Sequence, residues 1–491
     1  MNTNSFTKLN LFNGMPTRFW TITWISCLMT MGYSSIYVTL IVYVKHDFTF
    51  SNQDAVTLLG QFFSYNFTIN LLTSYVAEKW LSCRQLLAIA ISSSTLGFAI
   101  LSVKSLLCLH LGLSLIVSGL GMGFTCAYLL RSQTFIYKPE TIQLAFIICT
   151  IAYNLAHLVI YIIAGWMQLT HHYSWIFITD SVLSFAALIL LIKNWSNLND
   201  YRGEFSSNSQ HSSILSTKAV AIIIISFNLI LFYLLTESNL TSALIIALTV
   251  IMAAQMVVRL LSLQGMARHQ MKLFLILLSI YLFLCTLDLL GPMILTIFEI
   301  NNVNRTVFNI TIPIGWIEGM RTLIYFCSAP ILVVLYQYIH RRFSTNKLLI
   351  LFSFSALSIT LSMIMLLIGI KHCNQHGYTS ISWLLVYMIF YNSVFFYSTP
   401  LSFSMINELT PQKMHATLTG AVTFSYSIAS VLAVYISKHI LHSASTSNPL
   451  SSNAFYSHNF TICAWIALCI GLIPLVLIKV SRGHSVQSTG I

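Results

Sequence analysis

Long apolar runs recur along almost the whole chain, and they constrain its fold more than any other feature. Each run is about 20 residues long, the length of an α-helix that crosses the hydrocarbon core of a bilayer. Only helices and closed barrels satisfy their backbone hydrogen bonds in lipid, and no run shows the alternation of a barrel strand. Charged residues make up 7% of the 491 residues, against about 25% in soluble domains. A water-soluble fold is therefore excluded.

The apolar runs fall into groups of six, two and six. They lie near residues 19–44, 55–77, 86–104, 106–130, 141–165 and 175–193, then 217–236 and 240–260, then 272–298, 313–339, 347–369, 381–407, 414–440 and 459–480. A polar stretch rich in Ser and Asn, 194–216, is the best candidate linker. We predict an all-α integral membrane protein with 14 transmembrane helices: a six-helix bundle at 1–193, a linker with two additional helices at 194–271, and a six-helix bundle with a tail at 272–491.

The net charge of +12 comes from short basic clusters between the apolar runs. With the N-terminus inside, most Lys and Arg residues, Arg131 among them, fall at the inner face. This asymmetry is typical of the positive-inside rule and predicts that both termini are cytoplasmic. The basic residues form no stripe or tail of the kind that binds nucleic acid.

The sequence offers no motif for catalysis or metal binding. The ten cysteines show neither CxxC nor Cys/His metal spacing. No nucleotide-binding loop, HExxH or GxSxG occurs. We therefore expect no enzyme activity, no metal and no cofactor, and no nucleic-acid partner.

Several stretches resemble the proton-dependent oligopeptide transporter family of the major facilitator superfamily. They include GYSSIYVTLIVYV from Gly32, AYNLA from Ala152, APILVVLY from Ala329 and ELTPQKM from Glu408. Bacterial members of that family have 14 helices with an extra pair between the halves, as this chain does. The resemblance implies a major facilitator fold in the bacterial inner membrane that moves a solute by alternating access between two helical halves.

The chain departs from the family where its charges should be. Family members carry an ExxER motif on the first helix for proton coupling and peptide-carboxylate binding, and the aligned stretch here is Ser26 to Thr30, which has no charge. The fourth-helix lysine of the family falls on Cys126, and the tenth-helix glutamate falls near Phe395. The resemblance therefore implies the family fold without the usual peptide clamp.

Ionisable residues inside predicted spans are the best candidates for a mechanism, because a charge in a bilayer needs a partner or water. Asp288 lies in the span predicted at 272–298. Glu318 and Arg321 lie three residues apart in the next span, 313–339, close enough to pair on one helical face. Arg321 either holds a substrate carboxylate or exchanges between Asp288 and Glu318 as a proton arrives. The alternative is a static ion pair. Asp180, near the outer start of the sixth span, is predicted to be interfacial.

Polar and aromatic residues complete the candidate site. His157 follows Asn154 by three residues on one side of the fifth span, and its imidazole is suited to binding a proton near neutral pH. The alternative is a histidine that donates one hydrogen bond to a neighbouring helix. By the resemblance, Tyr33 and Asn154 line the pocket. The candidate substrate-binding residues are Tyr33, Tyr37, Tyr153, Asn154 and Arg321, and the candidates for proton coupling or gating are Asp288, Glu318, Arg321 and His157.

These features predict a secondary active transporter of a small polar solute, peptide-like or amino-acid-like, coupled to protons. Its partners are a small-molecule substrate, protons and the lipid bilayer. One alternative is an uncoupled facilitator or an exporter. Another is a transporter-like receptor or scaffold that has lost its transport cycle, for which the missing ExxER charges are the supporting feature.

Overall fold

A computed structural model of the chain describes residues 15–79, 81–135, 142–198, 217–343, 346–392, 401–410, 414–443 and 448–487. These segments are almost entirely helical. The helices are α1 (Thr17–Asp47), α2 (Asn52–Lys79), α3 (Cys83–Leu101), α4 (Leu106–Thr134), α5 (Ile142–Leu169), α6 (Tyr173–Lys193), α7 (Thr217–Thr236), α8 (Ser238–Ser262), α9 (Gly265–Leu289), α10 (Thr296–Asn302), α11 (Ile314–Arg342), α12 (Lys347–Lys371), α13 (Ile381–Tyr391), α14 (Ser402–Leu409), α15 (His415–Ser443) and α16 (Pro449–Gln487). A 3₁₀ turn, Trp195–Leu198, follows α6.

The prediction of an all-α membrane protein is confirmed. Each of the predicted spans contains at least one helix. Within the described segments, 11 helices are long and apolar enough to cross a membrane. The other predicted spans contain α2, α7 and the pair α13 and α14. Residues 199–216 of the predicted linker, and Phe395, lie outside the described residues.

The span predicted at 272–298 is interrupted where it carries its proline. A π-helical turn, Gly291–Leu295, separates α9 from α10. Pro292 has no backbone N–H, and its ring would clash with the carbonyl one turn earlier, so the α-helical ladder cannot continue unchanged. The chain then resumes as α10 and reaches Asn302. As a result, Asp288 lies just before the turn and Glu299 just after it.

Short strands lie between the helices. β1 (Val303–Asn304) pairs in parallel with β4 (Thr379–Ser380), with Val303 opposite Thr379. β2 (Thr306–Val307) and β3 (Ile310–Thr311) form an antiparallel hairpin. Its two turn residues, Phe308 and Asn309, have positive φ angles of 49° and 64°, as a tight type I′ hairpin turn requires.

The chain divides into two compact units. The first unit comprises Met1–Ile36, Ile69–Ile160 and Ser174–Phe232. The second unit comprises Tyr37–Thr68, Tyr161–Tyr173 and Tyr233–Ile491. The predicted boundaries of the two six-helix bundles stay a prediction, because the units follow packing contacts and not the order of the spans.

Glycines set the helix packing inside the first unit. On α4, a Cβ atom at Gly119 would lie 2.6 Å from the Ala90 carbonyl oxygen and 2.7 Å from the Ser94 nitrogen of α3. A Cβ at Gly112 would lie 2.9 Å from the Gly97 carbonyl oxygen. The α3 and α4 backbones therefore touch at these positions, which is the small-residue packing that membrane helices use.

Candidate functional site

Arg321 is the centre of a polar cluster in the second unit. Glu318 and Arg321 lie one turn apart on α11, and their Oε2 and Nη2 atoms form an ion pair of 2.5 Å. The same Nη2 donates a hydrogen bond of 2.8 Å to the Tyr37 hydroxyl, and the guanidinium lies 5.5 Å from the Tyr37 ring centre. The Glu318 side chain is buried, whereas Arg321 keeps 19% of its side-chain surface exposed. Part of the Arg321 side chain is therefore open to a ligand.

Asp288 reaches this cluster through Tyr391 of α13. The Tyr391 hydroxyl donates a hydrogen bond to the Asp288 carboxylate. The ring of Tyr391 in turn lies 5.9 Å from the Arg321 guanidinium. Arg321 is thus paired with Glu318 and not with Asp288, but its charge acts on Asp288 as well. The exchange of Arg321 between the two acids stays a prediction, because the ion pair with Glu318 fits the static alternative equally well.

Gly291, the first residue of the π-helical turn, lies next to Arg321. A Cβ atom on Gly291 would lie 3.5 Å from Nη1 of Arg321 and 3.8 Å from the Tyr37 hydroxyl. With glycine at this position, that space holds no side-chain atom. π-helical turns are frequent at functional sites. This one brings the backbone between α9 and α10 close to Arg321.

Glu299 belongs to the same cluster, although the sequence did not single it out. It is 1% exposed, and its Oε2 has no hydrogen-bond partner among the described residues. The charges of Glu318, Arg321 and Arg305 act on it. The predicted span ended at residue 298, one residue before Glu299. The signal that identifies it is its position two turns beyond Pro292, in a helix that continues after the π-helical turn.

His157 contacts α1 in the first unit. Its Nδ1 atom forms a hydrogen bond with the Ser34 hydroxyl, and that hydroxyl also lies 2.7 Å from the Thr30 carbonyl oxygen. A serine hydroxyl carries one hydrogen. If Ser34 donates it to Thr30, the His157 ring must be the donor to Ser34, so we assign a proton to Nδ1.

The other candidates of the first unit take different positions. Asn154 donates to the Thr150 carbonyl oxygen of its own helix at 2.8 Å, and not to the Ser34 hydroxyl that His157 contacts. The Tyr33 ring packs edge to face on Phe124, with ring centres 6.0 Å apart. The pocket roles of Tyr33 and Asn154 stay a prediction, because these contacts are local packing.

Tyr153 is held by an arginine that the sequence assigned only to membrane topology. Nη2 of Arg131 donates to the Tyr153 hydroxyl and, at 3.0 Å, to Ser26. The Arg131 side chain is buried, and no carboxylate of the described segments pairs with it. Ser26 is the position at which the aligned family motif begins. Among the described residues, Arg131 donates to two hydroxyl groups. One of them belongs to Ser26, in the stretch that lacks the charges of the ExxER motif.

The Tyr391→Phe variant tests how much the hydrogen bond to Asp288 contributes to stability. Replacing Tyr391 with Phe removes the donor to a carboxylate, and leaving such a group unsatisfied costs about 1–3 kcal/mol. We expect the variant to melt at a lower temperature in detergent. Tyr387→Phe is the matched control: Tyr387 stacks on Tyr391 with ring centres 5.3 Å apart, and its hydroxyl makes no hydrogen bond in the described residues. Equal melting temperatures for the two variants would contradict the prediction.

Known proteins resemble this chain over nearly its full length. The dipeptide and tripeptide permease A of Chromobacterium violaceum is 20% identical over 472 residues, covering 94% of this chain and 93% of the permease. That of Yersinia pestis is 19% identical over 478 residues, covering 96% and 93%. No family model matches the chain.

Solved structures of peptide transporters share its fold. A point mutant of the peptide transporter POT in complex with alafosfalin has a TM-score of 0.80 at 16% identity and covers 95% of both chains. A POT family transporter in complex with 5-aminolevulinic acid has a TM-score of 0.78 at 18% identity, with 95% of this chain and 96% of that chain covered. The predicted family resemblance and the predicted fold are confirmed. The relatives are permeases and not enzymes, in agreement with the prediction.

Proposed function

We propose that this divergent relative of the proton-dependent oligopeptide transporters is a proton-coupled secondary transporter that moves small peptide-like or amino-acid-like solutes by alternating access. The observation that carries the proposal is the polar cluster around Arg321, in which a partly exposed arginine side chain contacts acids that can bind a proton. The permeases that resemble the chain are named for dipeptides and tripeptides. One related structure holds 5-aminolevulinic acid.

The chemistry of the cluster suits a solute with a carboxylate group. The planar guanidinium offers several N–H donors in a fixed fork that matches a carboxylate, and it stays charged at every physiological pH. Nη2 is used by Glu318 and Tyr37, whereas Nη1 lies beside Gly291, which has no side chain. We infer that the solute carboxylate binds on the Nη1 side of Arg321, next to Tyr37.

Proton coupling follows from the competition for that guanidinium. When Glu318 is ionised, its attraction to Arg321 is strong because the surroundings are apolar. A proton on Glu318 removes that attraction, so a solute carboxylate on the Nη1 side no longer shares the guanidinium with a second anion. Loss of the proton restores the ion pair and expels the carboxylate. The ion pair and the solute thus bind in alternation, which is the condition for coupling.

We further propose that the protein lies in the bacterial inner membrane with both termini in the cytoplasm, and that the bundles at 1–193 and 272–491 are the two halves that alternate. The excess of Lys and Arg at the predicted inner face supports this orientation.

Uptake into liposomes tests the function. Purified protein is reconstituted, and radiolabelled dipeptides, tripeptides and single amino acids are offered with an inwardly directed proton gradient. We expect accumulation of at least one solute that a protonophore abolishes, with protein-free liposomes as the control. Exchange that is independent of the gradient would instead indicate a facilitator. Saturable binding without flux would indicate a receptor or scaffold.

A further inference from the structure

Asp180 is an acid in the first unit that the proposed mechanism does not use. It lies in the second turn of α6, and the sequence predicted an interfacial position. The structure instead buries it completely, at 0% exposure. The segment around it is apolar, so a carboxyl group here needs either a cation or a proton.

No cation is available to Asp180 within the described residues. It takes part in no ion pair there, and its Oδ1 atom has no hydrogen-bond partner. No other charged or titratable group of the described chain acts on it. Its hydrogen-bond partner among the described residues is Ser35 of α1, whose hydroxyl contacts Oδ2. An ionised Asp180 would therefore be a buried charge with a single neutral hydrogen bond.

The hydrogen bonds of Ser35 indicate where the proton is. The Ser35 hydroxyl lies 3.0 Å from the Gly32 carbonyl oxygen as well as in contact with Asp180. It has one hydrogen for two acceptors. If Asp180 is a neutral acid, its O–H donates to Ser35, and Ser35 donates onward to Gly32. The neutral acid satisfies both contacts, whereas the carboxylate leaves one of them without a hydrogen.

We propose that Asp180 holds a proton at neutral pH and is a proton-binding site of the transport cycle, formed by α6 and α1 within the first unit. The proposal rests on the proposed function. Ser34, the residue before Ser35, forms a hydrogen bond with Nδ1 of His157, to which we assign a proton on the same argument. Consecutive residues of α1 therefore hold two proton-bearing side chains, so a movement of α1 changes both contacts together. Separation of Ser35 from Asp180 opens the acid to water and lets its proton leave.

The first test reads the proton directly. Infrared spectroscopy of the purified protein at neutral pH is compared between the wild type and Asp180→Asn. Asparagine has nearly the same shape and donates a hydrogen bond to Ser35, so the variant keeps the contacts of the neutral acid. We expect the wild type to show a carbonyl band of a protonated carboxylic acid that the variant lacks. The same band intensity in both proteins would overturn the proposal.

The second test separates coupling from solute movement. In liposomes, Asp180→Asn cannot release a proton, so we expect loss of gradient-driven accumulation with retention of exchange between labelled and unlabelled solute. Gradient-driven accumulation equal to the wild type would overturn the coupling role even if the infrared band disappears. Asp54→Asn, at an exposed aspartate on α2, is the matched control and should retain both activities.

The two proposals fail in different ways. If the wild type shows no solute flux but the infrared band is present and depends on Asp180, the proposed function is wrong and the proton assignment holds. If the wild type accumulates solute with the gradient and Asp180→Asn does so equally, the proposed function holds and this inference is wrong.

Discussion

Replacing Arg321 with Gln abolishes gradient-driven uptake and solute exchange. Glutamine keeps much of the length of the side chain but removes the charge that pairs with Glu318 and the fork that suits a carboxylate. It also leaves Glu318 buried without a cation, and breaking a buried pair in this way typically costs about 3–5 kcal/mol. Both the binding of the solute and the response to the proton depend on the same guanidinium, so neither is expected to survive.

The measurement is uptake into liposomes with equal amounts of folded protein. Arg341→Gln is the matched control, because Arg341 lies on the same helix, α11, and is exposed. It should transport as the wild type does. The double variant Arg321→Gln with Glu318→Gln separates folding from function: removing both charges should restore the melting temperature without restoring transport. Normal uptake by Arg321→Gln at normal protein levels would contradict the mechanism.

Arg321→Lys refines the same experiment. Lysine keeps the positive charge but has no planar fork and cannot donate to Glu318, Tyr37 and a solute in fixed directions. We expect the protein to fold and the solute affinity to fall. If Arg321→Lys binds the solute as tightly as the wild type, then charge alone is sufficient at this position.

Replacing Gly119 with Ala destabilises the first unit. The added methyl would lie 2.6 Å from the Ala90 carbonyl oxygen and 2.7 Å from the Ser94 nitrogen, which are backbone atoms of a neighbouring helix. Relief requires α3 and α4 to separate. Overpacking of a well-packed core costs about 1–3 kcal/mol, and contact between two backbones places this site at the upper end. We expect a lower melting temperature and less folded protein.

Gly471→Ala is the matched control for this prediction. There, the methyl would lie 3.1 Å from Cγ of Leu357 and 3.2 Å from Cβ of Ala356, and these are side-chain atoms. Thermal melting of both variants in the same detergent is the measurement. A smaller loss of stability in Gly119→Ala than in Gly471→Ala would contradict the packing of α3 on α4.

The sequence by itself determined the helical architecture and the central pair of the site. Runs of apolar residues reveal membrane helices because the bilayer sets their length and leaves the backbone no other partner. The pairing of Glu318 with Arg321 was predictable because three residues along a helix return a side chain to the same face. Full-length similarity to peptide permeases agrees with the helical architecture.

The tertiary structure decided the partners of these residues and revealed two acids that the sequence did not assign to a site. Tyr37 is 284 residues from Arg321 along the chain, and Asp288 is 103 residues from Tyr391. No local pattern encodes such contacts. Glu299 joined the cluster because the helix resumes after Pro292, and Asp180 became a fully buried acid because α1 places Ser35 against it. Hydrophobicity and helical spacing are local properties, whereas burial and pairing depend on which helices pack together.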